Sequence, residues 1–221
     1  MRSILLFVFI LLFLPIFSGN AVRHSSITNS KVIYSQLENE SLSFEAFDLA
    51  LKGFMELKDS LQLKENIISI VDFSQPSFQK RFYLIDIETK KVLFQDYVAH
   101  GRKTGILQPT SFSNKINSYK SSLGFFKTAE TYYGKHGLSL RLDGLEKGFN
   151  NLARSRAIVI HTANYANEDF VKKWGRLGRS YGCPTLPSEN YHEIIELIKE
   201  GSLLFIYSAT NDYLENSKVL N

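Results

Sequence analysis

Cys183, the one cysteine of this 221-residue chain, stands in Gly178-Arg179-Ser180-Tyr181-Gly182-Cys183-Pro184. Upstream, Ala157-Ile158-Val159-Ile160-His161 reads as a buried strand that ends on a histidine. A turn-rich loop presenting one thiol, with an imidazole delivered by a strand end, is the equipment of nucleophilic cysteine catalysis. A thiol at its ordinary pKa of about 8.5 is only a few per cent ionised at neutral pH, so a base or a cation has to stand beside it. His161 is the candidate base, and Arg179 adds positive potential. On this reading the pairing makes Cys183 more acidic than a free thiol. Gly182 leaves room for a substrate carbonyl, and the backbone N–H groups of Gly182 and Cys183 can face a developing oxyanion. Pro184 fixes φ and stiffens the exit. Each residue also has a bland reading: a buried inert thiol, a capped strand-end histidine, a solvated arginine, and glycines that serve only the turn.

Those groups need a frame. Phe47, Ala50, Leu51, Phe54 and Leu57 recur at helical spacing after Ser43, which can cap the helix. Residues 67–72, 82–87 and 92–98 read as strands, the last two joined by the polar turn 88–91. Residues 101–122 form a long polar loop, of the kind that is functional or mobile in compact domains. Strand character returns at 123–128 and 138–142. The run 157–161 is apolar on both faces and is expected to lie centrally. A helix capped by Ser188 and ended by Gly201, then the strand 203–207, complete a mostly β domain with flanking helices, an α+β fold. The five histidines (His24, His100, His136, His161 and His192) show no metal-ligand spacing.

Composition narrows the class. With 44% hydrophobic and 22% charged residues the chain is globular, and a net charge of +4 does not argue for nucleic acid. Arg2 precedes an unbroken apolar run from Ile4 to Phe17, followed by Ser18-Gly19-Asn20-Ala21. This is the layout of an export signal over 1–21, or of an uncleaved anchor, and it is the only expected contact with a membrane. The organisation that follows is a linker over 22–42, a helical segment over 43–66, a catalytic domain over 67–208 and a fraying tail over 209–221. A lone cysteine in an exported chain cannot close an internal disulfide.

From about Ile67 to Tyr207 the chain resembles the murein L,D-transpeptidase catalytic domain family, a branch of the YkuD-like cysteine transpeptidases. The resemblance is carried by Val98-Ala99-His100-Gly101, Ser121-Ser122-Leu123-Gly124-Phe125, the run from Ser139 to Gly148, Ile158-Val159-Ile160-His161, and the run from Gly175 to Pro184. It implies a β-sandwich or barrel-like catalytic domain in which Cys183 is the nucleophile, His161 its base and the backbone carbonyl of Thr162 the third member. It further implies attack on peptidoglycan tetrapeptide stems, loss of the terminal D-alanine, and a thioester that gives 3→3 cross-links or is hydrolysed, with no metal or cofactor. Two departures stand out: Tyr181 occupies the place of a common histidine, and Pro184-Thr185 that of a frequent arginine or asparagine. The Tyr181 hydroxyl can bond substrate; Ser180, Arg176, Arg179, Lys172 and Lys173 are candidates to meet it, the cations as partners of stem carboxylates. Alternatives are an L,D-carboxypeptidase on the same scaffold and a non-catalytic cell-wall binding protein. A papain-like protease fits less well, because its nucleophile precedes its histidine in the chain.

Overall fold

A computed structural model of the chain describes residues 29–63 and 66–221. The export segment expected over 1–21 and the start of the linker lie outside the described residues. The rest of the expected linker is folded: residues 29–36 are helical (α1), and Ile33, Leu37 and Leu42 are buried. Asn39 turns the chain by accepting the N–H groups of Ser41 and Leu42, each at 3.0 Å. The helix α2 (Phe44–Leu61) starts where Ser43 accepts the Ala46 N–H, and it buries Ala46, Phe47, Ala50, Leu51 and Phe54 along one stripe. Gly53 lies on that stripe because a Cβ there would sit 2.1 Å from the Phe125 ring. Among the described residues no helix is long and apolar enough to cross a membrane.

Eight strands form one sheet: β1 (Ile67–Asp72), β2 (Phe82–Asp86), β3 (Lys91–Asp96), β4 (Gly124–Gly134), β5 (Gly137–Gly144), β6 (Val159–Thr162), β7 (Thr185–Leu186) and β8 (Leu203–Tyr207), in the order β3-β2-β1-β8-β4-β5-β6-β7. Pairs β1–β8 and β6–β7 are parallel and the others antiparallel. Ala99, just past β3, bridges to Thr185 of β7, so the two ends of the sheet nearly meet and the fold is a mixed α+β domain with a barrel-like, almost closed sheet. The run 157–161 was expected centrally. The central strand is β8, buried at every position, between β1 and β4. Strand β6 lies near the end of the order and is buried because the curl brings β7 and Ala99 over it.

Three further segments differ from the sequence reading. A helix α3 (Glu168–Trp174) precedes the cysteine loop, capped by Asn167 through the Phe170 N–H and ended by Gly175 at φ 68°. The helix after that loop is α4 (Tyr191–Ile198), whose N-cap position is Asn190, without a side-chain cap bond, and not Ser188, and whose C-cap is Lys199, before Gly201. The tail does not fray: α5 (Asn211–Asn216) docks, burying Tyr213 and Leu220. Its anchor is Glu146, whose Oε2 accepts from Tyr213 Oη at 2.8 Å and from the Phe125 N–H at 2.8 Å, with Ser217 on Oε1. The 102–123 stretch holds no strand or helix, yet side chains pin it throughout, which no local sequence pattern reveals.

Candidate active site

Two parallel neighbours, β6 and β7, carry the candidate base and the exit of the cysteine loop: His161 is in register with Thr185. The His161 ring is held at both edges. Its Nδ1 lies 2.9 Å from the Thr162 carbonyl oxygen, which can only accept, so Nδ1 carries the proton and Nε2 the lone pair. Thr185 Oγ1 sits 3.3 Å from that Nε2 and 3.4 Å from the Cys183 carbonyl oxygen. Burial lowers the pKa of His161, against the Thr162 carbonyl, which raises it; His136 and Lys135 lower it further.

Cys183 is half-buried, and its Sγ contacts the Ala157 carbonyl oxygen at 3.7 Å. No hydrogen bond joins Cys183 to His161 among the described residues. Burial pushes the thiol up, against the N–H groups of Val159 and Cys183 and the charges of Arg156 and Lys135. The acidic thiol expected from pairing is therefore not what the resting site holds. Desolvation disfavours the thiolate more than the surrounding cations and donors favour it.

The loop is rigid for reasons that lie in its neighbours. Gly101 bridges to Ser180, whose N–H donates to the His100 carbonyl at 2.9 Å and whose carbonyl accepts from Arg102 at 2.7 Å. Gly182 has φ 128°, and a Cβ there would stand 2.7 Å from the Lys120 carbonyl oxygen, so only glycine fits. Behind the loop His100 is fully buried. It accepts from Arg81 at Nδ1 (2.8 Å) and faces the Gly105 carbonyl with Nε2 (3.2 Å), and burial together with Arg81 lowers its pKa to about 3.

Not every residue picked from the sequence faces the site in the expected way. Ser180 is buried, and its hydroxyl serves the loop, donating to the Cys183 carbonyl at 2.7 Å and accepting the Gly182 N–H at 3.0 Å. The Gly182 N–H is thus committed to Ser180, which leaves the Cys183 N–H of the two expected oxyanion donors. Arg179 Nη1 bonds the carbonyls of Arg102 and Gly105, and Arg176 Nη1 bonds that of Leu177. Both line an open cleft of ≈ 630 Å³ with Arg102, Lys103, Tyr165 and Phe170. Lys172 is paired with Glu168 at 3.0 Å and Lys173 lies over Trp174, so neither faces that cleft. Tyr181 is exposed, tilted against Tyr119 at 5.0 Å, with Arg102 5.3 Å from each ring.

Three residues the sequence reading passed over stand at the site. Arg156 acts on the Cys183 sulfur while its guanidinium bonds the carbonyls of Ser113 (2.7 Å) and Lys120 (2.6 Å) and the hydroxyls of Ser122 and Ser118. Tyr165 faces Thr185 and Cys183, and burial raises its pKa. His136, from the turn joining β4 to β5, stacks on His161 with ring centroids 4.4 Å apart. The Gly134-Lys135-His136-Gly137 sequence signals a hairpin tip, but nothing local says that the tip lands on a base.

Residues 38–207 match the L,D-transpeptidase catalytic domain family. Among solved structures, an L,D-transpeptidase from Mycobacterium smegmatis is 12% identical, with a TM-score of 0.41, over 65% of this chain and 59% of that one. L,D-transpeptidase 1 from Mycobacterium tuberculosis is 12% identical, with a TM-score of 0.37, over 65% of this chain and 62% of that one. An L,D-transpeptidase from Stackebrandtia nassauensis is 15% identical, with a TM-score of 0.37, over 84% and 79%. The chain thus spans about three fifths of the length of the first two structures. No curated protein matches it by sequence. The family match takes in most of the chain, α2 included, and the protein belongs to the L,D-transpeptidase catalytic domain family.

Proposed function

We propose that the protein is an exported cysteine L,D-transpeptidase acting on peptidoglycan tetrapeptide stems. The observation that carries this reading is the tautomer of His161: with its proton held on Nδ1 by Thr162, Nε2 is a base directed at the strand that leaves Cys183. Substrate entry exchanges the resting partners. The thiol leaves the Ala157 carbonyl and passes its proton to Nε2 as sulfur adds to the carbonyl carbon at the L-centre of the third stem residue. The oxyanion takes up the Cys183 N–H. Collapse breaks the bond to the terminal D-alanine, whose amine leaves with the proton from His161, and a thioester remains. The amine of a second stem then loses a proton to Nε2, attacks the thioester carbon and expels the sulfur, which is reprotonated, giving a 3→3 cross-link. Every step balances in protons and electron pairs without a cofactor. The cations of the adjoining cleft suit the carboxylates of such stems.

The test is incubation with purified disaccharide-tetrapeptide and mass spectrometry of the products. Cross-linked dimers that vanish in Cys183→Ala support the reading. Tripeptide alone reassigns the protein as an L,D-carboxypeptidase. No turnover, with parent and Cys183→Ala binding muropeptides alike, makes it a cell-wall binding protein.

A further inference from the structure

The base is gripped at its edges by Thr162 and Thr185, which leaves its faces to be covered. One face is covered from a distance. Strands β4 and β5 pair from Phe126 and Gly144 out to Gly134 and Gly137, and the two-residue tip is Lys135-His136. A register shift between Thr128 and Thr131 interrupts the ladder below the tip, and such a shift increases the local twist. Gly137, at φ 76° and with nothing within 4 Å of a Cβ, completes the turn by its conformation, not by a close approach. The result is an exposed histidine laid on a buried one, ring centroids 4.4 Å apart and planes within 22°.

We propose that His136 is a positioning residue for His161: by stacking on the imidazole it fixes the ring plane and keeps protons off the base. The inference rests on His161 being the base. Any flat side chain would cover the face, but this one can carry charge. Burial already lowers the pKa of His161, and the neighbouring His136 and Lys135 lower it further. Of the other groups at the base, the Thr162 carbonyl opposes this by favouring the protonated ring; β7 offers the Thr185 hydroxyl, the segment after β6 the Tyr165 phenol, and the loop the Cys183 thiol. A second imidazole thus reaches the site from the hairpin, whereas Tyr181, two places before the cysteine, turns its ring to Tyr119 and Arg102.

The experiment is an NMR titration of the His161 ring in the full-length protein and in His136→Phe and His136→Ala, alongside turnover of disaccharide-tetrapeptide across pH. His136→Phe keeps a flat ring and removes the neighbour that lowers His161, so the His161 midpoint is expected at higher pH with its contact to Thr185 intact. The acid limb of kcat/KM should move the same way. His136→Ala should show the same direction of shift, lose the Thr185 contact and slow turnover about tenfold. A His161 midpoint unchanged in both variants overturns the proposal. So does an Ala variant that keeps both ring contact and rate. The titration is read without substrate: a shifted midpoint in a protein that turns over no muropeptide supports the stacking while sinking the enzymatic reading.

Discussion

Burial moves the two groups proposed to react in opposite directions, the Cys183 thiol up and the His161 imidazole down. At neutral pH the resting pair is therefore an uncharged thiol and an uncharged imidazole, and the proton moves during attack, not before it. Activity then fades as pH falls through the lowered His161 value, because the base is lost. In the absence of substrate, alkylation of Cys183 by iodoacetamide is expected to reach half its limiting rate above the ordinary thiol pKa of about 8.5. Arg156→Ala should push that midpoint higher still, since it removes the cation that favours the thiolate. A midpoint below the ordinary value would instead mean a preformed thiolate–imidazolium pair. At this scale the sequence was informative where chemistry resides in residue type, a single thiol and a histidine at a strand end; the carbonyl of Thr162 entered only through the family resemblance. Of 26 lysines and arginines it pointed to Arg179 as the cation beside the sulfur, not to Arg156. Arg156 is chosen by the path of residues 113–122, a tertiary fact; Arg179 sits closer in sequence yet bonds the carbonyls of Arg102 and Gly105.

The elements divide by how local their causes are. Helix α2 was readable from its stripe and its Ser43 cap, and β8 from an apolar run with no polar face. Helix α3 carried the usual signals, with Asn167 at its start, Glu168 and Asp169 in the first turn, Lys172 and Lys173 in the last, and Gly175 beyond. It buries no residue, so no apolar period announced it. Helix α5 is different. Six polar-leaning residues make no stable helix alone, and this one exists because Tyr213 and Ser217 complete a buried carboxylate. Tyr213→Phe removes one donor from Glu146 and should cost about 1–3 kcal/mol in urea unfolding. An unchanged midpoint would show that ring packing against Phe149 and Phe205, not the hydroxyl, holds the helix. Of the β4–β5 hairpin, β5 was read over 138–142 but β4 only over 123–128, because the outer half of β4 is held by its pairing to β5.

For the molecule as a whole, the notable interior feature is a cation without a carboxylate on it. Arg81 is fully buried, and its guanidinium bonds the carbonyls of Gln75 and Val98 and the His100 ring, over the face of Phe73; burial lowers its pKa to about 9. His100 must stay neutral beside it. Its folded value of about 3 lies below the 6.5 of an unburied histidine, so the unfolded chain binds the extra proton between those limits. Stability is complete above the unfolded value and falls with pH below it, on the order of 1.4 kcal/mol per pH unit for one such group. Denaturant unfolding at pH 7 and pH 4 should show that loss, and His100→Asn, which keeps an acceptor for Arg81 but cannot ionise, should flatten it. Equal slopes in parent and variant would place the acid sensitivity elsewhere.

Arg156 fastens residues 113–122 with the same guanidinium that acts on the sulfur. A peptide that wedged its way in beneath that stretch would prise the cation from the thiol it was approaching.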